Sequence, residues 1–408
     1  MPTADRYPVV VVGAGPAGLA TSAELRRRGI GHVVLERGDT VGHSWEKLYD
    51  SLTLHTGKHL SALPGMSFGR NVPLFPSRND FVAYLHRYAE VLELPIETGR
   101  TVTAIERRKC RSLDGARDEK GADPSTALGM TGCRSLDYAR DDSEWLVRTN
   151  RGDITARDVV VATGIIASPR VPVFPGRERF RGRVMHSVEY RRPAEFANRR
   201  VLVVGVGNSG GEIASELADS GARVTIAVRS GANVVPRQIA GIPVQYLSFA
   251  MRALPARVRS ALAALVGRMT ELRRGKPVLP KPAHGPLDAI PLIGFHLVDA
   301  IRAGKVAVRG GVMALTESGA RFMDGGEEPF DDVILATGFT AALAPLGDLV
   351  RTDPKGFAVR SDRVTSADQP HLYFVGHSYD ATGGLNNIRR DSVLSAERIA
   401  AAARRGAA

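Results

Sequence analysis

Two glycine triplets carry the chemistry that reads most directly from this chain. Gly13, Gly15 and Gly18 stand in GxGxxG spacing, and Gly205, Gly207 and Gly210 repeat it. In such a turn the first glycine permits a tight bend, the second lets backbone approach a pyrophosphate, and the third lets helix and strand pack closely. The helix that follows offers free N–H groups and the positive end of its dipole. After the first triplet, Pro16 and Ala17 open the helix, and the next apolar run ends at Glu36 and Arg37. A carboxylate at that place accepts hydrogen bonds from ribose hydroxyls, which predicts FAD. After the second triplet, Val228 takes the place of Glu36 and is followed by Arg229 and Ser230. There a 2′-phosphate meets no repelling carboxylate and Arg229 can clamp it, which predicts NADPH rather than NADH. Asn208 and Ser209 lie within this turn and can donate to the pyrophosphate. A chain holding both cofactors passes hydride from nicotinamide to flavin.

The elements that must position these turns follow from hydrophobic patterning. "YPVVVVGAGPAGLATSAELRRRGIGHVVLERGD" reads as a buried strand, glycine turn, amphipathic helix and second strand, and "RRVLVVGVGNSGGEIASELADSGARVTIAVRSG" repeats the plan from Arg199. The expected fold is α/β, two Rossmann-like doubly wound dinucleotide-binding domains with the NADPH domain inserted in the FAD domain. Two further apolar strands end alike, "DVVVATG" at Gly164 and "DVILATGF" at Thr337, Gly338 and Phe339, and mark where the chain leaves and re-enters the first domain. The expected boundaries are 1–168 for the first part of the FAD domain, 169–330 for the NADPH domain and 331–408 for the remainder of the FAD domain. "CRSLDGARD" from Cys110 is nearly repeated by "CRSLDYARDD" from Cys133, so residues 110–142 read as an inserted surface loop or hairpin.

Composition narrows the function classes. The 408 residues carry a net charge of +12, with 43% hydrophobic and 24% charged residues. The arginines are scattered over helix-like stretches, and no zinc spacing, RNA-binding signature or basic-aromatic strip supports nucleic-acid recognition. The chain opens on a strand rather than a signal segment and lacks a bilayer-length apolar run, so a cytoplasmic protein without a transmembrane segment is expected. Two cysteines with no CxxC fit a reducing compartment, and no metal site is expected.

Between the glycine turns lies "FRGRVMHSVEY". Phe180, Gly182, His186 and Tyr190 match FxGxxxHxxxY, and by this pattern and its location the chain resembles the flavin-containing monooxygenases (class B flavoprotein monooxygenases), closest to the YUCCA-type branch and the bacterial proteins like it. The resemblance runs from about residue 7 to residue 400, excepting the insert. Baeyer-Villiger enzymes of this class have tryptophan where this chain has Tyr190. As an inter-domain linker, the segment would anchor itself through Phe180, pass a neighbour closely at Gly182, and let His186 and Tyr190 hydrogen-bond backbone or ribose as the domains reorient.

Several roles follow from the resemblance. "GHSWEKLYDSLTLHTGKHLSALPG" matches the flavin-proximal segment, where Trp45 would stack near the isoalloxazine and His55 would donate to the distal oxygen of a flavin peroxide, although a buried structural histidine reads equally well there. Arg78, at the start of a capped amphipathic helix, would meet a cofactor phosphate. Gly376, followed by His377 rather than aspartate, and Gly383 and Gly384 would bring backbone and a helix N-terminus against the flavin. The implied activity is NADPH- and O2-dependent oxygenation of a small nucleophilic N- or S-containing substrate, or of a 2-oxo acid with decarboxylation, through a C4a-(hydro)peroxyflavin. A flavin oxidoreductase or oxidase passing electrons to a quinone or to oxygen shares both nucleotide sites and is the rival reading; a non-enzymatic interaction protein is the second. A homodimer is compatible with the sequence. Residues 248–274 form a basic amphipathic stretch that reads first as an ordinary packed helix, with a substrate-covering insert or a membrane-surface helix as alternatives. His284 in the following Pro-rich loop reads as structural.

Overall fold

The computed structural model of the chain describes residues 5–109, 143–251, 254–282, 291–378 and 383–407. The calls on Cys110, Cys133 and His284 lie outside the described residues.

The first apolar run forms the strand Asp5–Val12, and Val9, Val10 and Val11 are fully buried, as a parallel strand covered on both faces requires. The helix Pro16–Arg27 and the strand His32–Leu35 complete the unit. Their sheet runs in the order Ile96–Glu97, His32–Leu35, Asp5–Val12, Ile154–Val161, Ser143–Thr149, Val102–Lys109. The strand Ile154–Val161 is shared along its second edge: its first half pairs antiparallel with Trp145–Val147, and Val159–Val161 pairs in parallel with Leu372–Phe374. The end of the chain thereby returns to the first sheet. Lys109 and Ser143 are directly paired, so the duplicated segment falls between two partnered strands.

The second unit builds a wholly parallel sheet in the order Val306–Arg309, Arg223–Ala227, Arg200–Val204, Asp332–Leu335, Arg183–His186. Two sequence expectations are corrected here. The motif segment is no linker: Arg183–His186 is the edge strand of this sheet. Likewise Asp332–Leu335 belongs to the second sheet, so the chain leaves it after Leu335 and not at 331. Both misreadings share a cause, since only long-range pairing tells which sheet a short segment joins. The two crossings themselves run side by side, Ser168–Pro169 pairing antiparallel with Phe339–Thr340.

The helix Arg78–Val91 starts on a capping box in which Ser77 and Asp80 satisfy each other's backbone N–H. The final helix, Gly384–Ala407, buries Ala396 and Ile399 in the cluster that contains Leu19 and Leu25 of the first helix. Among the described residues no helix is long and apolar enough to cross a membrane.

Candidate active site

The two glycine turns are built on one plan. Gly13 sits at φ +105° and Gly205 at φ +108°, a region that disfavours any side chain. A Cβ on Gly13 would lie 2.7 Å from the carbonyl oxygen of Ala162, and one on Gly205 would lie 2.5 Å from that of Ala336. A Cβ on Gly18 or Gly210 would come within 1.7 or 2.1 Å of the oxygen of Gly13 or Gly205. Nothing lies within 4 Å of a Cβ on Gly15 or Gly207. The first and third glycines therefore serve packing, and the second leaves the open cradle that a pyrophosphate fills. The two ATG endings are the platforms of these turns, a role that their repetition in the sequence signals but does not state.

On the flavin side, Glu36 is buried with both carboxylate oxygens oriented by backbone: Ala14 N–H donates to Oε2 at 2.7 Å and Gly38 N–H to Oε1 at 2.9 Å. Its remaining lone pairs line a cavity of about 1290 Å³. Gly13, Gly15, Pro16, Ala17, Arg37, Trp45, His55, Gly164, Gly376, Gly383 and Gly384 line the same cavity. The residues present fit FAD: an open turn, a ribose acceptor and, at Gly384, a second helix beginning at the wall. Trp45 meets Phe81 edge-on, with 4.5 Å between ring centroids, which fixes its plane beside the cavity. His55 leaves 24% of its side chain open, on the cavity wall, and burial of the rest, with the Arg237 cation nearby, pushes its pKa down to about 4.

On the nicotinamide side Asn208 reaches this cavity, but its side chain is engaged: Nδ2–H donates to the Pro291 carbonyl at 3.2 Å and Oδ1 accepts Ile293 N–H at 2.8 Å. The backbone N–H groups of the first turn of Asn208–Asp219 are left to face a pyrophosphate. Ser209 lies beside Tyr49 of the flavin-side segment. Arg229 and Ser230 are exposed just beyond the strand Arg223–Ala227.

Four expectations change. His186 is a brace, not a cofactor contact: Nε2–H donates to the Gly338 carbonyl at 3.0 Å, and Nδ1 accepts Val188 N–H at 3.2 Å. Thr337 is spent similarly, its hydroxyl donating to the Arg170 carbonyl at 2.5 Å. Arg78 is held away from the cavity by the Leu48 carbonyl at 2.5 Å and the Asp50 carboxylate at 2.9 Å. The stretch 248–274 is not an ordinary packed helix: Leu262, Val266 and Thr270 of Ala256–Arg274 line the cavity, while Leu265, Met269 and Leu272 of the same helix are exposed.

Residues that motif reading missed include Glu212 and Glu216, one turn apart on Asn208–Asp219. The Tyr49 hydroxyl donates to Glu212, Ser51 Oγ–H donates to Glu216 at 2.9 Å, and Tyr190 Oη–H donates to Glu216 at 3.0 Å. The acidic pair at four-residue spacing on this helix was the available signal. Gln245, buried with an unpartnered Oε1, is a second missed lining residue.

With this geometry in place, comparison with known proteins identifies the lineage. The flavin-binding monooxygenase-like family matches residues 134–356, and the pyridine nucleotide-disulphide oxidoreductase family matches residues 7–242. The chain belongs to the flavin-binding monooxygenase-like family. It is 36% identical over 339 residues to the indole-3-pyruvate monooxygenase YUCCA1 of Oryza sativa subsp. japonica, covering 81% of this chain and 76% of the relative. Its counterpart in Arabidopsis thaliana, a probable indole-3-pyruvate monooxygenase, is 33% identical over 340 residues, covering 81% of this chain and 75% of the relative. Among solved structures, a flavin-containing monooxygenase from Stenotrophomonas maltophilia superposes with a TM-score of 0.70 at 24% identity, covering 97% of this chain and 99% of the other; it shows the shared fold. The protein is thus a flavin-dependent monooxygenase, and the family's FAD and NADPH are the cofactors that its two turns fit.

Proposed function

We propose that this flavin-binding monooxygenase family member uses NADPH and O2 to oxygenate a small 2-oxo acid with an apolar or aromatic body, with release of carbon dioxide. Bound FAD supplies the oxygenating chemistry, as a C4a-(hydro)peroxyflavin. The observation that carries the reading is the single cavity reaching from the Gly13–Gly15 turn and Glu36, past Trp45 and His55, to Asn208 at the second turn and the apolar side chains of Ala256–Arg274. Relatives named for indole-3-pyruvate, itself an aromatic 2-oxo acid, support that substrate class over an amine or sulfide.

The chain's own share is positional. Gly15 and Gly207 admit the two pyrophosphates, Glu36 orients a ribose, and Arg229 selects the 2′-phosphate. Trp45, Leu262 and Val266 keep the reacting space apolar and exclude water. His55, neutral at physiological pH, brings a hydrogen-bonding group and not a charge to that space.

Anaerobic reduction with NADPH, followed by mixing with 18O2 and an aromatic 2-oxo acid, tests the proposal. The expected result is an oxygen-dependent absorbing species before oxidised flavin returns, one labelled oxygen in the product and carbon dioxide in equal amount. Immediate return of oxidised flavin with stoichiometric hydrogen peroxide and no product would make the chain an NADPH oxidase. Labelled amine or sulfide oxides in place of a decarboxylated product would move the substrate class to soft nucleophiles.

A further inference from the structure

Most of the large apolar side chains left exposed among the described residues belong to one stretch, from Ile242 to Leu272. Its main element is the helix Ala256–Arg274, along which Val258, Leu262, Leu265, Met269 and Leu272 recur at alternating spacings of four and three. At about 100° per residue these five side chains fall within an arc of about 80° on one side of the helix. Leu265 is 53% exposed, Met269 47% and Leu272 86%, so nothing among the described residues covers the stripe. Another side of the helix is occupied. Val266 and Thr270 line the cavity, and Arg274 is held by the Asp299 carboxylate at 2.7 Å and lies over the Phe295 ring. A contiguous apolar face of this kind marks a partner.

Charge says which partner. Arg257 and Arg268 follow one edge of the stripe and Arg259 and Arg273 the other, and none of the four is in an ion pair among the described residues. Glu271 is the only acidic residue of the helix, and it stands on the cavity side. An apolar stripe walled by unpaired arginines suits a lipid interface. Its apolar side chains enter the acyl boundary, while the arginine stems run beside them and carry the guanidinium groups to the phosphates. A second copy of the chain fits the stripe poorly. Across a twofold axis the arginine rows would face their own copies, on chains that each carry a charge of +12. An anionic surface supplies the opposite charge instead. Among the described residues no helix is long and apolar enough to cross a bilayer, so the contact is with the surface.

We propose that the helix Ala256–Arg274 docks the enzyme onto an anionic lipid surface, with Leu265, Met269 and Leu272 entering the interface and Arg257, Arg268 and Arg273 engaging lipid phosphates. Leu262 belongs both to the stripe and to the cavity wall, so docking brings that wall to the lipid. The docking is independent of which substrate class the flavin oxygenates.

The test is co-sedimentation of the flavin-bound full chain with vesicles of phosphatidylcholine alone and of phosphatidylcholine mixed with phosphatidylglycerol. Binding to the anionic vesicles is expected to be at least about tenfold tighter than to the neutral ones, and to weaken as salt rises from about 0.05 M to about 0.5 M. The combined variant Leu265→Ser, Met269→Ser, Leu272→Ser is expected to bind the anionic vesicles at least about tenfold more weakly, with flavin content and vesicle-free NADPH oxidation unchanged. The combined variant Arg257→Gln, Arg268→Gln, Arg273→Gln is expected to lose the preference for anionic vesicles. Leu265→Trp is expected to emit further to the blue once those vesicles are added, relative to the same difference in the wild type. Absence of vesicle binding by the wild type overturns the proposal. So does undiminished binding by the serine variant, which would be diffuse adsorption of a cationic chain. A wild-type dimer that the serine variant breaks would assign the stripe to a second copy and overturn it as well. Should the serine variant lose its flavin, the Leu265→Trp emission decides, an unshifted spectrum on bound protein counting against insertion.

Discussion

Nε2 of His186 donates to the carbonyl oxygen of Gly338 at 3.0 Å, and the same oxygen accepts the backbone N–H of Arg170 at 2.9 Å. One carbonyl thus joins the motif histidine, the outgoing crossing and the returning crossing between the two sheets. Both ring nitrogens are engaged and burial lowers the pKa, so His186 is neutral and unavailable as a base.

His186→Ala is therefore expected to cost about 1–2 kcal/mol, from the lost hydrogen bond and the half-buried group left behind. That corresponds to a melting temperature lower by roughly 2–8 °C. The pH–rate profile is expected to keep its shape. A pH–rate limb lost in His186→Ala would show that the ring titrates in turnover.

The matched glycine turns separate the two cofactors experimentally. Gly18→Ala drives a Cβ to 1.7 Å from the Gly13 oxygen, and Gly210→Ala drives one to 2.1 Å from the Gly205 oxygen. The first substitution is expected to yield protein largely devoid of flavin. The second is expected to keep flavin and raise the KM for NADPH at least about tenfold, since relieving the clash displaces the turn by about an ångström and removes pyrophosphate contacts worth about 1.4 kcal/mol or more. The ratio of flavin to protein absorbance and a steady-state NADPH titration read the two effects.

Arg229 is exposed beyond the strand Arg223–Ala227, with no carboxylate at the position before it. Arg229→Ala is expected to lower kcat/KM for NADPH by roughly 10- to 100-fold, the worth of a charge-assisted phosphate contact, and to leave NADH little changed. Equal losses with both coenzymes would move the 2′-phosphate contact elsewhere.

Two histidines with lowered pKa values, His377 buried and His55 partly so, make folding sensitive to acid. Burial, together with nearby arginine cations, lowers His55 to about 4 and His377 to about 3, against 6.5 in the unfolded chain. The unfolded chain takes up these protons first, so their contribution is complete above about pH 6.5 and is lost as the pH falls toward 4. The urea midpoint is expected to decline across that window, and His377→Asn is expected to flatten the decline. An unaltered slope in His377→Asn would assign the acid sensitivity to other groups.

Much of the fold was legible because its signals are local. The runs at Val9–Val12 and Val201–Val204, the glycine spacings, and the Ser77–Asp80 cap are each complete within a few residues, and each forms the element that its pattern implies. The site was legible in the same measure: Gly15, Glu36, Trp45 and His55 line one cavity. Val228 stands where the first unit has Glu36 and Arg229 follows it, a change of charge that a sequence displays openly.

Partners distant in sequence were hidden. His186 and Gly338 are 152 residues apart, Tyr49 and Glu212 are 163 apart, and Arg183–His186 becomes a strand only because Asp332–Leu335 lies beside it. The sequence alone determined that two dinucleotide turns exist, what each second glycine leaves open, and which charge stands at each ribose position, because these depend on backbone sterics and side-chain identity over short spans. Only the tertiary structure decided that the ATG endings support those turns, that Arg78 and His186 brace backbone, and that Glu212 meets Tyr49. Those outcomes depend on the pairing of strands and the docking of one sheet against the other, where the direction of a side chain is set by neighbours that no local pattern names.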